Sequence, residues 1–348
     1  VTAASAASTP ILGRSEADAR LRELGIYRFA LPIPFRSAGG PVNACAIENQ
    51  DGTLTLFDAG LGTSQAKAAL SQGFREAGLT MEHVSRVLLS HGHVDHYGGA
   101  REIAERSGAK VFIHGADATK VLAAHPPTRR SAAFAPFLEK MGIPQGLVKA
   151  MARSFEAAEP LGERLKEVEP LVPGARLSFK GFSAEVLHCP GHTPGLVCLF
   201  APDQRLLLSD DHLLERVSPN PLLDFGPRGK EGSFRALERY LESVKRVREL
   251  ELDLVVPGHG EPFSGHRGII DRLLAFYEKR QAALAAAIAK EPRTTLELVE
   301  AVFGRADPEQ LFLMISEIFG NLEVLESRGE IWRAGERPVR WSSAAGLA

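Results

Sequence analysis

The chain has 348 residues, 44% of them hydrophobic, with 41 Lys plus Arg against 43 Asp plus Glu and a formal net charge of −2. That length exceeds a typical domain, so one large domain with an appendage is expected, and the balanced charge argues against nucleic acid or an anionic membrane surface as a partner. No run approaches the roughly 18–20 apolar residues that span a bilayer, and Cys45, Cys189 and Cys198 form no disulfide framework, which points to free thiols in a reducing, cytoplasmic compartment.

Val1–Ser8 is small and polar, with neither a basic leader nor an apolar core, and does not read as an intact signal peptide. Residues 1–21 are read as an N-terminal extension. Strand-like stretches follow at Ile26–Leu31, Ala44–Ile47, Thr53–Phe57, Arg86–Leu89 and Lys110–Ile113, alternating with helical ones at Ser64–Ala77 and Gly98–Ser107.

Directly after Val87-Leu88-Leu89 comes His91-Gly92-His93-Val94-Asp95-His96. An isolated histidine is usually satisfied by a backbone carbonyl, but this density of imidazole and carboxylate is the ligand set of zinc and its first-row neighbours. Neighbouring strand residues face opposite ways, so His91 and His93 share a direction only if the chain leaves the strand and turns, which Gly92 permits. Asp95 and His96 then fall on the following loop or first helical turn, where they can meet a second ion. A catalytic zinc takes about three protein ligands and leaves a position for water, so two ions need ligands from further along the chain.

Residues 116–169 carry apolar side chains at helical spacing (Phe134, Phe137, Leu138, Met141, Leu147, Val148, Met151, Phe155) that must be buried somewhere. They form either an extra packing layer or a cap over the metal edge. Next, Ala184–His188 reads as a strand leading into the turn-dense Cys189-Pro190-Gly191-His192-Thr193-Pro194-Gly195. Arg205–Ser209 reads as a short buried strand ending in Asp210-Asp211-His212, and Leu254-Val255-Val256-Pro257-Gly258-His259-Gly260 again delivers a histidine at a strand end. Beyond His266 the pattern turns helical over Ile269–Ala289, Thr295–Phe303 and Pro308–Ser327, and then Gly329–Arg333 and Pro338–Trp341 read as a hairpin.

Taken together these motifs resemble the metallo-β-lactamase superfamily, nearest its glyoxalase II-like hydrolases, over about residues 22–264. The resemblance implies an α/β fold, an αββα sandwich of two mixed β-sheets flanked by helices, with a dinuclear site at one edge. Carried over position by position, His91, His93 and His192 hold one ion, Asp95, His96 and His259 the other, and Asp211 bridges them. Asp58, in Leu56-Phe57-Asp58-Ala59-Gly60, is implied as an outer partner orienting a ligand imidazole. The sequence departs from the family in having Asp210 where the family has glycine before the bridging aspartate, and aspartate tolerates a left-handed backbone better than most residues. The bridge is assigned to Asp211, with Asp210 as the other choice. His212 is read as an outer-shell or substrate contact, Cys189 as a packed residue, and His83, His114, His125, His188 and His266 as no ligands.

The expected chemistry is hydrolysis by a metal-bound hydroxide on two divalent ions, zinc first, with iron or manganese also accommodated. Asp95 is the candidate proton acceptor. The expected substrate is a small-molecule acyl compound of thioester, ester or lactone type. The resemblance also favours the cap reading of 116–169 within a catalytic domain of 22–265, and a small helical, winged-helix-like domain at 266–348. Such a domain raises the alternative of a metal-dependent nuclease or phosphodiesterase. Against that, no lysine follows Lys290 and phosphate contacts need a basic footprint, so the module is expected to pack on the catalytic domain, border the pocket or mediate a homodimer.

Overall fold

The computed structural model describes residues 14–34, 39–125, 127–225, 234–304 and 310–344. Strands β1 (Ile26–Leu31), β2 (Val42–Glu48), β3 (Leu54–Phe57), β4 (Val84–Leu89), β5 (Lys110–Ile113) and β6 (Glu169–Pro170) form one mixed sheet in that order. A second sheet has the order β11-β10-β9-β8-β7, from β7 (Arg176–Ser178), β8 (Ser183–His188), β9 (Val197–Ala201), β10 (Leu206–Asp210) and β11 (Leu254–Pro257). The helices in chain order are α1 (Arg14–Glu23), α2 (Ser64–Glu76), α3 (Val94–Tyr97), α4 (Ala100–Ser107), α5 (Ala118–Val121), α6 (Pro127–Lys140), α7 (Gln145–Ala158), α8 (Ala236–Arg248), α9 (His266–Ile288), α10 (Thr295–Phe303) and α11 (Leu311–Ser327). A hairpin of β12 (Ile331–Ala334) and β13 (Arg340–Ser343) follows. Among the described residues, no helix is long and apolar enough to cross a membrane.

Both sheets are covered on both faces, which is why their strands read as nearly continuous apolar runs. In β4, Leu88 points into the core between the sheets with Ile47, Val186 and Leu208, while Val87 and Leu89 face Leu70 and Phe74 of α2 and Ile103 of α4. In β10, Leu206 and Leu208 face inward, whereas Leu207 packs outward with Tyr240 and Val244 of α8 and Ile270 of α9. The αββα sandwich expected from the sequence is therefore formed.

Direction decides where the loops go. β3, β4 and β5 run parallel, so their C-terminal ends emerge together. In the other sheet β10 runs parallel to β11 and antiparallel to β9, which is antiparallel to β8, so β8, β10 and β11 also end on one side. The two rims meet through Asn43, whose amide donates to Gly258 O (2.7 Å), and through Val197, whose amide donates to Ser90 O (2.9 Å).

Three sequence expectations change in detail. Residues 1–13 lie outside the described part of the expected extension, but α1 buries Ala17 and Leu21 among the inter-sheet residues, so packing begins ahead of residue 22. The helix expected over 98–107 begins two residues later, as α4 at Ala100: Gly98 and Gly99 form a turn after α3, and Gly99 donates its amide to Gly60 O (3.0 Å). The last helix starts at Leu311, Pro308 lying outside the described residues.

The segment 116–169 supplies α5, α6 and α7, and its apolar stripe is buried against the C-terminal helices. Phe137, Leu138, Met141 and Met151 share a core with Leu284 of α9, Leu298 of α10, Ile315 and Phe319 of α11, and Trp341 of β13. Phe137 meets Phe319 edge to face, with ring centres 5.1 Å apart. α6, α7 and the C-terminal helices thus stabilise one another. Phe137→Ala is expected to cost about 3–5 kcal/mol, measured by urea unfolding; a loss under about 1 kcal/mol would show that this shared core contributes little.

Candidate metal centre

The residues singled out at separate strand ends converge at the common rim. His91 follows β4, and His93 stands at the head of α3, whose single turn carries Asp95 and His96. His192 lies on the turn between β8 and β9, Asp211 follows β10, and His259 follows β11. All of these except the partly exposed His93 are buried.

Three imidazole nitrogens meet at His93: its Nδ1 lies 2.9 Å from Nε2 of His91 and 2.9 Å from Nε2 of His192. Asp211 Oδ2 faces both groups, 3.4 Å from His192 Nε2, 3.5 Å from His96 Nε2 and 3.5 Å from His259 Nε2. Asp95 Oδ2 is 3.4 Å from His259 Nε2 and 3.9 Å from His96 Nε2. Among the described residues the side chains fall into three sets able to hold a cation: His91, His93, His192 and Asp211; His91, His96, Asp210 and Asp211; and Asp95, His96 and His259. Asp211 belongs to the first two, and its Oδ2 also faces His259 Nε2 of the third.

The residues fit metal ions on a second ground. His96 Nε2 and Asp211 Oδ1 are buried without a hydrogen-bond partner, a costly state for a polar atom unless another ligand meets it. The outward ring nitrogens are anchored. His192 Nδ1 donates to Asn220 O (2.9 Å), His259 Nδ1 to Gly40 O (3.3 Å) and His96 Nδ1 to Asp58 Oδ2 (2.9 Å). Each such bond fixes the tautomer that leaves the inner nitrogen's lone pair free. Asp58 also accepts from the Ser90 amide (2.8 Å) and hydroxyl (2.7 Å), and Ser90 Oγ lies 2.9 Å from His91 Nδ1.

Asp210 belongs to one of these sets. Its Oδ1 lies on the outward side of two rings, 3.2 Å from His91 Nδ1 and 3.4 Å from His96 Nδ1, and accepts from the Asp211 amide at 2.8 Å. Its backbone is left-handed, with φ of 48°. Across the rim, Gly258 leaves room for the carboxylate beside it, since a Cβ there would lie 2.2 Å from Asp211 Oδ1.

His212 does not join the cluster. Its ring packs edge-on to Tyr240, centres 5.5 Å apart, and burial drives its pKa down to about 3. Cys189 is buried in the apolar layer beneath, and His114 stacks on His188 at 4.3 Å.

Ser90, Asp210 in its outer position, and the carbonyls of Asn220 and Gly40 were not found by sequence reasoning. Single polar residues and backbone atoms carry no motif; only the turn-forming Pro219-Asn220-Pro221 gave a local signal.

Burial opposes charge on both groups of imidazoles, with different outcomes. His259 is raised to about 10, because Asp211 and Asp95 outweigh its burial, and Asp210, Asp211 and Asp95 likewise raise His96. His192 is lowered to about 4 by burial, and His93 falls well below the usual range through burial and the neighbouring His91 and His192.

A cleft opens over the rim in two lobes of about 250 and 380 Å³. His93, His192, Phe155 of α7, and Phe312 and Leu313 of α11 border both. Val94, Tyr97, Phe134 and Leu223 make the smaller lobe largely apolar, with Lys120 and Arg164 also on its wall; Asp95, Asp211, His259 and Asn220 line the larger.

Residues 38–259 match the sequence model of the Metallo-beta-lactamase superfamily. The chain belongs to this superfamily. A Bacillus subtilis relative described as "Probable metallo-hydrolase YqjP" is 26% identical over 320 residues, covering 88% of this chain and 93% of its own. The crystal structure of a metallo-beta-lactamase family protein from Thermus thermophilus is similar at 30% identity and a TM-score of 0.75, covering 92% of this chain and 98% of that one. An atrochrysone carboxyl ACP thioesterase from Aspergillus fumigatus is 22% identical over 265 residues, 72% of this chain and 64% of its own. The metallo-β-lactamase assignment and the His/Asp clusters together make the chain a metallo-hydrolase of this superfamily.

Two outcomes follow for this metallo-β-lactamase rim. Asp210→Gly is expected to fold normally, since glycine suits the left-handed backbone, yet to bind divalent metal about 10–100-fold more weakly, as when an outer partner of a ligand is lost; unchanged metal content after dialysis would remove Asp210 from the site. Metal binding at pH 7.5 should release protons from the His96 and His259 group, where a cation must displace them. Calorimetric titration in buffers of different ionisation enthalpy measures this, and heats independent of buffer would refute it.

Proposed function

We propose that the protein is a dinuclear metal-dependent hydrolase of small-molecule acyl compounds, of thioester, ester or lactone type, within the glyoxalase II-like branch. The observation that carries this reading is the convergence of both ligand groups on a cleft whose smaller lobe sets the apolar side chains of Val94, Tyr97, Phe134 and Leu223 beside Lys120 and Arg164. Two divalent ions, zinc first, would lower the pKa of coordinated water from 15.7 to about 7 and polarise the scissile carbonyl.

The chain's own residues do the rest. His91, His93 and His192 would hold one ion, Asp95, His96 and His259 the other, and Asp211 both. Asp95 is the proton acceptor in this reading, because it lines the larger lobe and its carboxylate is held low, His96 and His259 outweighing its burial. Val94, Tyr97, Phe134 and Leu223 on the wall of the smaller lobe would receive an apolar acyl chain, with the leaving group toward Ser154, Ser218 and Asn220 in the larger one. The thioesterase named among the relatives supports acyl chemistry of this kind.

In this reading residues 22–265 are the catalytic domain, 116–169 its cap, and 266–348 a winged-helix-like module used as a pocket wall. Asn220 donates to Leu313 O (2.8 Å) and the Leu223 amide to Ser316 Oγ (3.1 Å), tying α11 to the cleft. This use of the module, and the lack of lysine after Lys290, favour a small-molecule substrate over nucleic acid. The free, buried thiols of Cys45, Cys189 and Cys198 suit a cytoplasmic setting.

The purified protein, stripped by chelator and reloaded with Zn²⁺, Fe²⁺ or Mn²⁺, should hydrolyse acyl thioesters, esters or lactones with kcat/KM rising as the acyl chain lengthens through several carbons. Turnover confined to phosphodiesters would overturn the reading.

A further inference from the structure

We propose that Asp117 is a positioning residue that sets the separation of the two loops bearing His91, His93 and His192. The inference rests on the metal-centre reading above. Asp117 follows β5 and precedes α5, and it is completely buried. It touches none of the proposed ligands' ring nitrogens or carboxylates. Its Oδ2 accepts from the Gly92 amide (3.0 Å) and from Thr193 Oγ1 (2.6 Å), and its Oδ1 accepts from the Gly195 amide (3.2 Å). One carboxylate thus joins the peptide between His91 and His93 to the residues just after His192.

The clamp is tight on both sides. A Cβ on Gly92 would lie 2.7 Å from Lys120 Cβ, and one on Gly195 would lie 2.8 Å from Asp117 Cγ, so both backbones approach as only glycine allows. Lys120 Nζ lies 2.8 Å from Asp117 Oδ1 and 3.0 Å from Asp224 Oδ2. Burial would raise the Asp117 carboxyl, but Lys120 and the Thr193 hydroxyl hold it at about 2, so the acceptor is fully charged at neutral pH. Charge-assisted bonds of this kind are shorter and stronger than neutral ones.

The effect should fall on one group of ligands. His93 Nδ1 stands 2.9 Å from nitrogens on both clamped loops, whereas His96 and His259 are anchored through Asp58 and Gly40. A merely stabilising role is a poor account of the arrangement, because a buried ion pair contributes little net stability and need not reach the backbone of two ligand loops.

The test is titration of the metal-free full-length protein with Co²⁺, followed by visible absorption and by metal analysis after gel filtration. His259→Ala and His192→Ala isolate the two groups. Asp117→Asn keeps the side chain's size but turns an amide toward groups that are themselves donors. In the His259→Ala background it is expected to weaken Co²⁺ binding about 10–100-fold. In the His192→Ala background binding should change by less than about threefold, with the thermal midpoint lowered equally in both.

Equal weakening in both backgrounds, or none in either, overturns the proposal. Should Asp117→Asn fail to fold, Thr193→Val decides. It removes one of the bonds while leaving the Asp117–Lys120 pair, and must give a smaller loss confined to the His259→Ala background; no selective loss overturns the proposal. A wild-type protein that binds no Co²⁺ instead defeats the metal-centre reading itself, and the positioning role with it.

Discussion

Imidazole nitrogens 2.9 Å apart in a buried volume cannot all be satisfied by hydrogen bonds to one another. His93 Nδ1 faces His91 Nε2 and His192 Nε2 at that distance, and a nitrogen presenting its lone pair to two others repels them unless a cation or proton lies between. The architecture around the rim holds this unfavourable arrangement in place. Outward ring nitrogens are tied to Asp58, Asn220 and Gly40, Asp210 sits behind two rings, and Asp117 ties two of the loops together.

Such preorganisation is possible because strand direction, not loop length, places the ligands. Parallel strands end together, so short loops from β4, β10 and β11, with the turn after β8, reach one rim without a long ordered excursion. The apolar layers on both faces of each sheet keep those ends from shifting. Polar atoms left over at the rim, His96 Nε2 and Asp211 Oδ1, are where the fold concedes stability to function.

The cleft is decided elsewhere. α6 and α7 cannot bury their apolar stripe on the sandwich alone and do so against α9, α10 and α11. That common core turns Phe155 and Phe312 toward each other, ring centres 4.9 Å apart, beside the metal rim. The helices that pack there also bring Phe155 to the wall of the cleft.

Much of this was legible in the sequence, because short, nearly continuous apolar runs ending in His or Asp specify both a strand and what emerges from it. β1, β5 and α10 have the bounds expected from their residues, and the motifs at His91–His96, His192, Asp211 and His259 named the groups that converge. The sequence could not place the Asp210 carboxylate beside the Nδ1 atoms of His91 and His96, because that depends on a left-handed backbone at Asp210. Nor could it show that Asp117 spans loops whose residues lie 25 and 76 positions away along the chain. Local pattern fixes which side chains leave a strand end; which carbonyl, carboxylate or ring lies behind each of them depends on contacts between distant segments, and those exist only once the sheets have packed.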